Sequence, residues 1–382
     1  MDFSWSQEQQ DFYDTVVEFS KQELNNDLIR RDLESEFDRA AWNKCAELGI
    51  LGLQVPEEYG GQGADVPTTY LAMEGLGYGC RDNGLLFSIG AHMWSAISPI
   101  ERFGTEAQKQ KYLPGMVDGS LIGVQGMTEP GSGSDAFGQM ATTATKTDDG
   151  WVLRGNKTFI SNAPVADVFV VFALTDKAKG WAGISTFIVD RDTPGVEIGA
   201  NFKKMGLRTS TMSELTFDDA LLPEDAILAK PGMGMMVFTH SMDWERGCIL
   251  AHAVGTMQRQ LETAVDYAKT REQYGQPIGK YQSISHMIVD MKIRLESARL
   301  LMYQLAWMKE HGKDTKLQSA MVNVTIAEAW VQTSLDSIQI HGGYGYMTES
   351  EVERDLRDAL AGRIYSGTSQ IQKNMVARFL GL

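Results

Sequence analysis

A chain of 382 residues with 35 Lys and Arg against 50 Asp and Glu has a formal net charge of −15. That excludes a nucleic-acid binder working by phosphate neutralisation, which needs a basic surface. With 43% hydrophobic and 22% charged residues the composition is globular rather than disordered or fibrous, and the length predicts two or three domains, since single cores rarely grow beyond roughly 250–300 residues.

The opening Met1-Asp2-Phe3-Ser4-Trp5-Ser6 has no basic segment followed by an apolar stretch, so no secretory signal is expected. No apolar run reaches the ~18 residues of a membrane span, and a cytoplasmic protein without membrane contact is expected. Cys45, Cys80 and Cys248 lie far apart without a CxxC pair, which argues against a disulfide framework or a zinc site.

Residues 1–120 read as an N-terminal α-helical domain. Ser6 with Gln9, and Thr105 with Gln108, have the S/T-x-x-Q spacing of a capping box. Residues 121–232 read as a middle domain of antiparallel strands: Asp149-Gly150 and Gly155-Asn156 bracket Trp151–Arg154, and apolar runs follow at Val168–Leu174 and Thr186–Val189. Residues 233–382 return to helical spacing in long stretches at Met235–Thr270, Ser283–Lys309 and Thr315–Ile340, which predicts a C-terminal helical bundle. The class is α+β; no βαβ alternation is present.

Several chemistries are excluded by pattern. There is no phosphate loop, no G-x-G-x-x-G and no G-x-S-x-G, and the six histidines make no metal-ligand spacing. The unusual segment is Gly126-Met127-Thr128-Glu129-Pro130-Gly131-Ser132-Gly133-Ser134-Asp135. Such a run lets backbone amides approach a ligand closely, although on composition alone it reads first as a linker. Two further segments stand out, Gln339-Ile340-His341-Gly342-Gly343-Tyr344-Gly345 and Ile364-Tyr365-Ser366-Gly367-Thr368-Ser369-Gln370-Ile371-Gln372.

Taken together with Arg271-Glu272-Gln273-Tyr274-Gly275, these segments resemble, in order and separation, the signatures of the acyl-CoA dehydrogenase flavoproteins. The resemblance covers essentially the whole chain. It implies a helical domain, a β domain and a C-terminal four-helix bundle, with FAD as cofactor and no metal. Met127, Thr128, Gly133, Ser134, Phe159 and Ser161 would line the flavin from one subunit. Arg271, Gln273, Tyr274, Gln339, Gly342 and Gly343 would reach the FAD of a neighbour, and Thr368 and Gln370 would close the pocket. A homo-oligomer, commonly a tetramer, follows from a shared cofactor, and an electron-transfer flavoprotein or other acceptor is the implied redox partner.

The family's reaction removes an α proton from an acyl thioester and passes the β hydride to the flavin. Many members carry the base as a glutamate where this chain has Ser366, which cannot accept that proton at neutral pH. Isovaleryl and long-chain members carry it instead in a Glu-Arg pair on a core helix, matched here by Glu245-Arg246. Glu245 is therefore the expected base; the rival Asp243 points about 200° away on a helix. The Ser366 backbone amide would help hold the thioester oxygen, and Ser134, Arg246, Tyr365 and Gly367 would contact substrate.

Ser241–Cys248 and Asn162–Phe169 look closest to dehydrogenases acting on carrier-protein-bound aminoacyl groups, prolyl above all, with a short or branched acyl-CoA as the alternative. Asn323 stands where many CoA-using relatives have lysine. Arg30-Arg31 and Lys203-Lys204 are candidate carrier-docking charges. A non-catalytic scaffold, or a flavin oxidase or monooxygenase on the same fold, completes the alternatives.

Overall fold

The computed structural model describes residues 4–382; the Met1-Asp2-Phe3 part of the leader reading lies outside them. The first section is built from helices α1 (Gln7–Glu23), α2 (Leu28–Glu34), α3 (Arg39–Glu47), α4 (Val66–Gly79), α5 (Asn83–His92), α6 (Ser98–Phe103) and α7 (Glu106–Val117). Both capping boxes form: the Ser6 and Thr105 hydroxyls accept from the amides of Gln9 and Gln108, whose side chains return the bond, so two helix starts have their orphan donors satisfied. After α5 the chain widens into a π turn at Met93–Ile97, a rare geometry that tends to sit at functional positions.

The middle section holds strands β1 (Gly123–Gly126), β2 (Thr143–Thr147), β3 (Gly150–Ser161), β4 (Val168–Leu174), β5 (Ile184–Asp190), β6 (Val196–Ile198), β7 (Met212–Leu222) and β8 (Ile227–Leu228). Among the described residues they form one sheet in the order β6-β7-β3-β2-β4-β5-β8, with β1 on β4. Most pairs are antiparallel, as expected. Two are not: β1 runs parallel to β4 from Gly123 opposite Val168, and β2 meets β4 parallel at Thr143, so the sheet is mixed. Gly155-Asn156 is not the turn that its composition predicts. It is a register shift inside the unbroken β3, where Gly155 has φ +140° and a Cβ would lie 2.6 Å from the Thr142 hydroxyl.

Helices α8 (Gly234–Cys248), α9 (Ala251–Thr270), α10 (Gln282–Glu310), α11 (Lys316–His341), α12 (Val352–Gly362) and α13 (Ser369–Phe379) complete the chain. The expected single stretch Met235–Thr270 is two helices. The chain breaks at Ile249-Leu250, where Ala253 bonds back only three residues to Leu250 O, directly after Glu245.

The first and last sections share a core. Helix α4 crosses α9 with backbone on backbone: a Cβ on Gly77 would meet His252 O at 1.8 Å, and one on Gly255 would meet Glu74 O at 1.9 Å, so only glycine fits at this crossing. One apolar cluster runs through all three sections, from Val16 and Trp42 through Phe169 and Val189 to Met257 and Trp330. Where the sections meet, Arg31 pairs with Asp82 at 2.6 Å, and Asp358 accepts from Asn83 at 3.2 Å and from the Leu207 amide at 2.6 Å. No described helix is long and apolar enough to cross a membrane, and the three cysteines are buried free thiols.

Candidate active site

Helix α8 is fixed to its surroundings before it presents any chemistry. The Ser241 hydroxyl donates to Gln125 Oε1 on β1 at 2.9 Å and contacts Trp94 O in the π turn at 3.3 Å. Trp94 and Trp244 stack with ring centroids 5.8 Å apart. These contacts set the rotation of α8, and with it the directions of its two carboxylates.

The carboxylates differ in everything except sequence distance. Asp243 accepts from Lys309 Nζ at 2.6 Å, Thr315 Oγ1 at 2.9 Å and Ser319 Oγ at 3.0 Å. Burial alone would raise its pKa, but the ammonium and the two hydroxyls outweigh it and hold the carboxyl below its usual range. Its oxygens are occupied, and its task is to tie α8 to α10 and α11.

Glu245 has one hydrogen-bond donor, the Ser366 hydroxyl, 2.7 Å from Oε1. Burial pushes its pKa up, and the Ser366 bond and the neighbouring Arg246 charge oppose that only in part. A carboxylate removed from water and short of donors is the more basic one. His252 lies beyond the break, in α9. It is buried against Trp330 at 5.6 Å, with both ring nitrogens unpartnered, and burial keeps it neutral by lowering its pKa to about 4.

The loop after α12 faces Glu245. Ser366 and Gly367 are consecutive left-handed residues at φ 57° and 88°, then Thr368 caps α13 by accepting from the Ile371 amide. Gln372, fully buried, donates to Ser366 O at 2.8 Å and Gly367 O at 3.1 Å. A Cβ on Gly367 would lie 2.9 Å from Gln372 Nε2, which accounts for glycine there. Glu328 of α11 braces the same loop through Arg363 and the Ser369 hydroxyl. The Ser366 N–H has no acceptor among the described residues. Gln372 and Glu328 escaped the sequence reading; the Gln at the end of I-Y-S-G-T-S-Q-I-Q was the available signal.

Tyr365 stacks on Phe87 at 4.5 Å, and its buried hydroxyl is unpartnered. Gly90 faces Ile249 and Trp94, and a Cβ there would lie 3.4 and 3.7 Å from them. Beyond the Trp94–Trp244 pair lies a separate cavity of about 380 Å³, bounded by Leu51, Val55, Val66 and Glu101.

The glycine-rich run is no linker. Glu129 is buried and accepts from Lys157 Nζ at 2.7 Å and from the Ala141 and Thr142 amides at 2.6 and 3.0 Å, while Lys157 Nζ also donates to Met127 O at 3.2 Å. Burial lowers the Lys157 pKa to about 8, and its charge helps hold Glu129 below the usual carboxylate range against the effect of burial. The pair is ionised at neutral pH. Ser132 closes the turn by donating to Asp135 O at 2.5 Å. Thr158 N, on the next strand, bonds to Thr128 O at 2.8 Å, and Phe159 follows at φ 57°, exposed.

These residues fit FAD. A Cβ at Gly131 or Gly133 would meet nothing within 4 Å, so an open cradle lies over the loop. Among the described residues no protein group bonds the hydroxyls of Thr128, Ser134 and Ser161, and the exposed Phe159 ring packs on Phe202 with centroids 5.9 Å apart. Thr368 and Gln370 sit at the start of α13, Thr368 half-buried and Gln370 exposed. The second expected set is elsewhere on the surface. Arg271, Gln273 and Tyr274 lie on a short exposed hairpin, with Tyr274 96% exposed, and Gln339, Gly342 and Gly343 are exposed at the end of α11, both glycines with open space above them.

Three further groups read from the sequence have partners within the protein. Arg30 is ion-paired to Asp27, Glu34 and Glu36, Arg31 is buried on Asp82, and Lys204 donates inward to Leu207 O at 2.7 Å. Three of these four side chains are therefore engaged within the protein, while Lys203 is exposed. Asn323 is fully buried and donates to Arg246 O at 3.2 Å, so it ties α11 to α8. Ser366 offers its hydroxyl as well as its amide.

Models of the acyl-CoA dehydrogenase N-terminal, middle and C-terminal domains match residues 6–120, 125–220 and 232–381, and the chain belongs to the acyl-CoA dehydrogenase family. It is an FAD-dependent oxidoreductase acting on acyl thioesters. Within the family it is 40% identical over 382 residues to an L-prolyl-peptidyl-carrier-protein dehydrogenase from a Serratia species, covering 100% of this chain and 99% of that one. The crystal structure of the prolyl acyl carrier protein oxidase AnaB superposes with a TM-score of 0.98 at 46% identity, covering 99% of this chain and all of that one. The short-chain-specific acyl-CoA dehydrogenase of Megasphaera elsdenii is 39% identical, covering 97% of both chains.

Proposed function

We propose that Glu245 removes the α proton of a small acyl group, prolyl or one of similar size, held as a thioester on the phosphopantetheine arm of a carrier protein. The observation that carries the base assignment is the contrast on α8: Asp243 is saturated with donors, whereas Glu245 has one and is the more basic. The acyl group would lie between Glu245 and the Ser366–Gly367 backbone, with Phe87, Tyr365, Ile249 and Trp94 limiting its size. The free Ser366 amide is placed to donate to the thioester oxygen as it gains charge, the interaction that lowers such a barrier most directly.

FAD would be held by Met127, Thr128, Gly133, Ser134, Phe159 and Ser161, closed over by Thr368 and Gln370, and supplies the acceptor for the β hydride. The exposed Arg271, Gln273, Tyr274, Gln339, Gly342 and Gly343 would serve a neighbour's cofactor, which makes the working unit a homo-oligomer, a tetramer in this reading. The division at 120 and 232 belongs to the same proposal, as do a flavoprotein-type electron acceptor and a cytoplasmic setting. Ser134, Arg246, Tyr365 and Gly367 would contact substrate.

The second reading, a short acyl-CoA substrate, is favoured by the near-equal identity to the short-chain enzyme. Following the flavin spectrum anaerobically separates the two. Bleaching by prolyl-loaded carrier protein, and not by butyryl-CoA or isovaleryl-CoA, is the expected result; bleaching by an acyl-CoA alone retires the carrier reading.

A further inference from the structure

We infer that the Ser366 side chain is a positioning residue for the base: its hydroxyl clamps Glu245 Oε1 and leaves Oε2 as the oxygen that takes the substrate proton. This rests on Glu245 being the base. The contact spans 121 residues of sequence and closes at 2.7 Å, and among the described residues nothing else donates to that carboxylate. A glutamate has three rotatable side-chain bonds, and an unpartnered carboxylate would sample several positions relative to the substrate. One hydrogen bond to Oε1 removes that freedom without neutralising the charge.

The donor is itself held rigidly. Ser366 has a left-handed backbone at φ 57°, uncommon outside glycine and asparagine. That conformation persists because Gln372 takes the carbonyls of both Ser366 and Gly367, and because Glu328 pins Arg363 and Ser369 on either side. The backbone places the N–H and the hydroxyl of one residue at a single site. The amide points to no protein acceptor and is available to the thioester oxygen, while the hydroxyl holds the base. A residue that in many relatives supplies the base therefore here aligns a base supplied by another helix.

A hydroxyl that donates to a carboxylate stabilises its ionised form, so it also offsets part of the burial that raises Glu245. Glu245 acts when ionised, and reduction is lost as pH falls through its pKa. Losing the donor moves that loss to higher pH.

The test uses the holoenzyme, with anaerobic single-turnover reduction by prolyl-loaded carrier protein, or by butyryl-CoA if that is what bleaches the wild type, followed from pH 5 to 9. Ser366→Ala and Ser366→Gly both remove the hydroxyl and keep the amide, and glycine also relieves the left-handed strain. Both variants are expected to shift the midpoint of the acid limb up by about one pH unit, the scale of one hydrogen bond to a charged group, and to lower the plateau about tenfold. An unmoved midpoint in the variant that retains FAD, alongside an inactive Glu245→Gln, overturns the role of Ser366 and leaves the base in place. Wild-type reduction by Glu245→Gln overturns the base and this inference with it.

Discussion

Glu129 and Glu245 are both carboxylates withdrawn from water, and the protein treats them in opposite ways. In the glycine-rich loop, Glu129 is surrounded by the Lys157 ammonium and two backbone amides; on α8, Glu245 has one neutral hydroxyl among the described residues. The first arrangement satisfies the charge and makes the loop rigid. The second leaves the charge under-satisfied, which is what a proton acceptor requires. Asp243, two residues away on the same helix, belongs to the first kind, so the distinction lies in partners and not in the helix.

The largest effect should come from removing the reactive member. Glu245→Gln preserves shape and hydrogen-bonding capacity but not basicity, and is expected to keep FAD while its reduction by substrate slows by about 10²–10⁴-fold, the usual contribution of a general base. Stopped-flow flavin spectra check this, and reduction within threefold of wild type would remove the contrast between the two regions.

Breaking the structural pair should instead reduce stability. Lys157→Met leaves Glu129 buried without its ammonium, a change that costs about 3–5 kcal/mol when a buried ion pair loses one partner. A marked fall in melting temperature with loss of bound flavin is expected from thermal unfolding monitored by flavin fluorescence; an unchanged melting temperature would mean that the amides suffice.

The smallest effect sharpens the comparison within α8. Asp243→Asn retains acceptor oxygen for Thr315 and Ser319 but loses the charge facing Lys309, whose side chain is 4% exposed. Stability should fall by about 1–3 kcal/mol, and reduction by saturating substrate should stay within about tenfold, because this group does not touch the reacting atoms. A collapse in reduction rate matching that of Glu245→Gln would show that the two carboxylates act together.

How much of this was legible in the sequence depended on distance along the chain. The capping boxes, the sequence of sections and the flavin-loop run all declare themselves within a dozen residues, and all are present in the structure. The vacancy at Ser366 and the availability of Glu245 were each legible alone. Their hydrogen bond was not, because it depends on how α8 meets the loop before α13. The break at Ile249-Leu250 was hidden for a different reason: the apolar pattern continues through it. The contact of Asn323 with Arg246 O was not legible either, because it joins two helices 77 residues apart in sequence. The Lys157–Glu129 pair was missed because a charged residue in a strand and one in a loop give no local sign of meeting.

The glycine crossing of α4 and α9 has a consequence for how the chain is made. Thr256 on α9 donates to Gly77 O at 3.3 Å, across 179 residues of sequence. The apolar face of α4 is therefore synthesised long before the helix that covers it, and contacts of this range are slow to close. While the ribosome translates the intervening sheet, that face stays open to solvent and to other nascent chains, so the early helices have to wait for the late ones, and this stretch of synthesis is where chaperone protection would matter most.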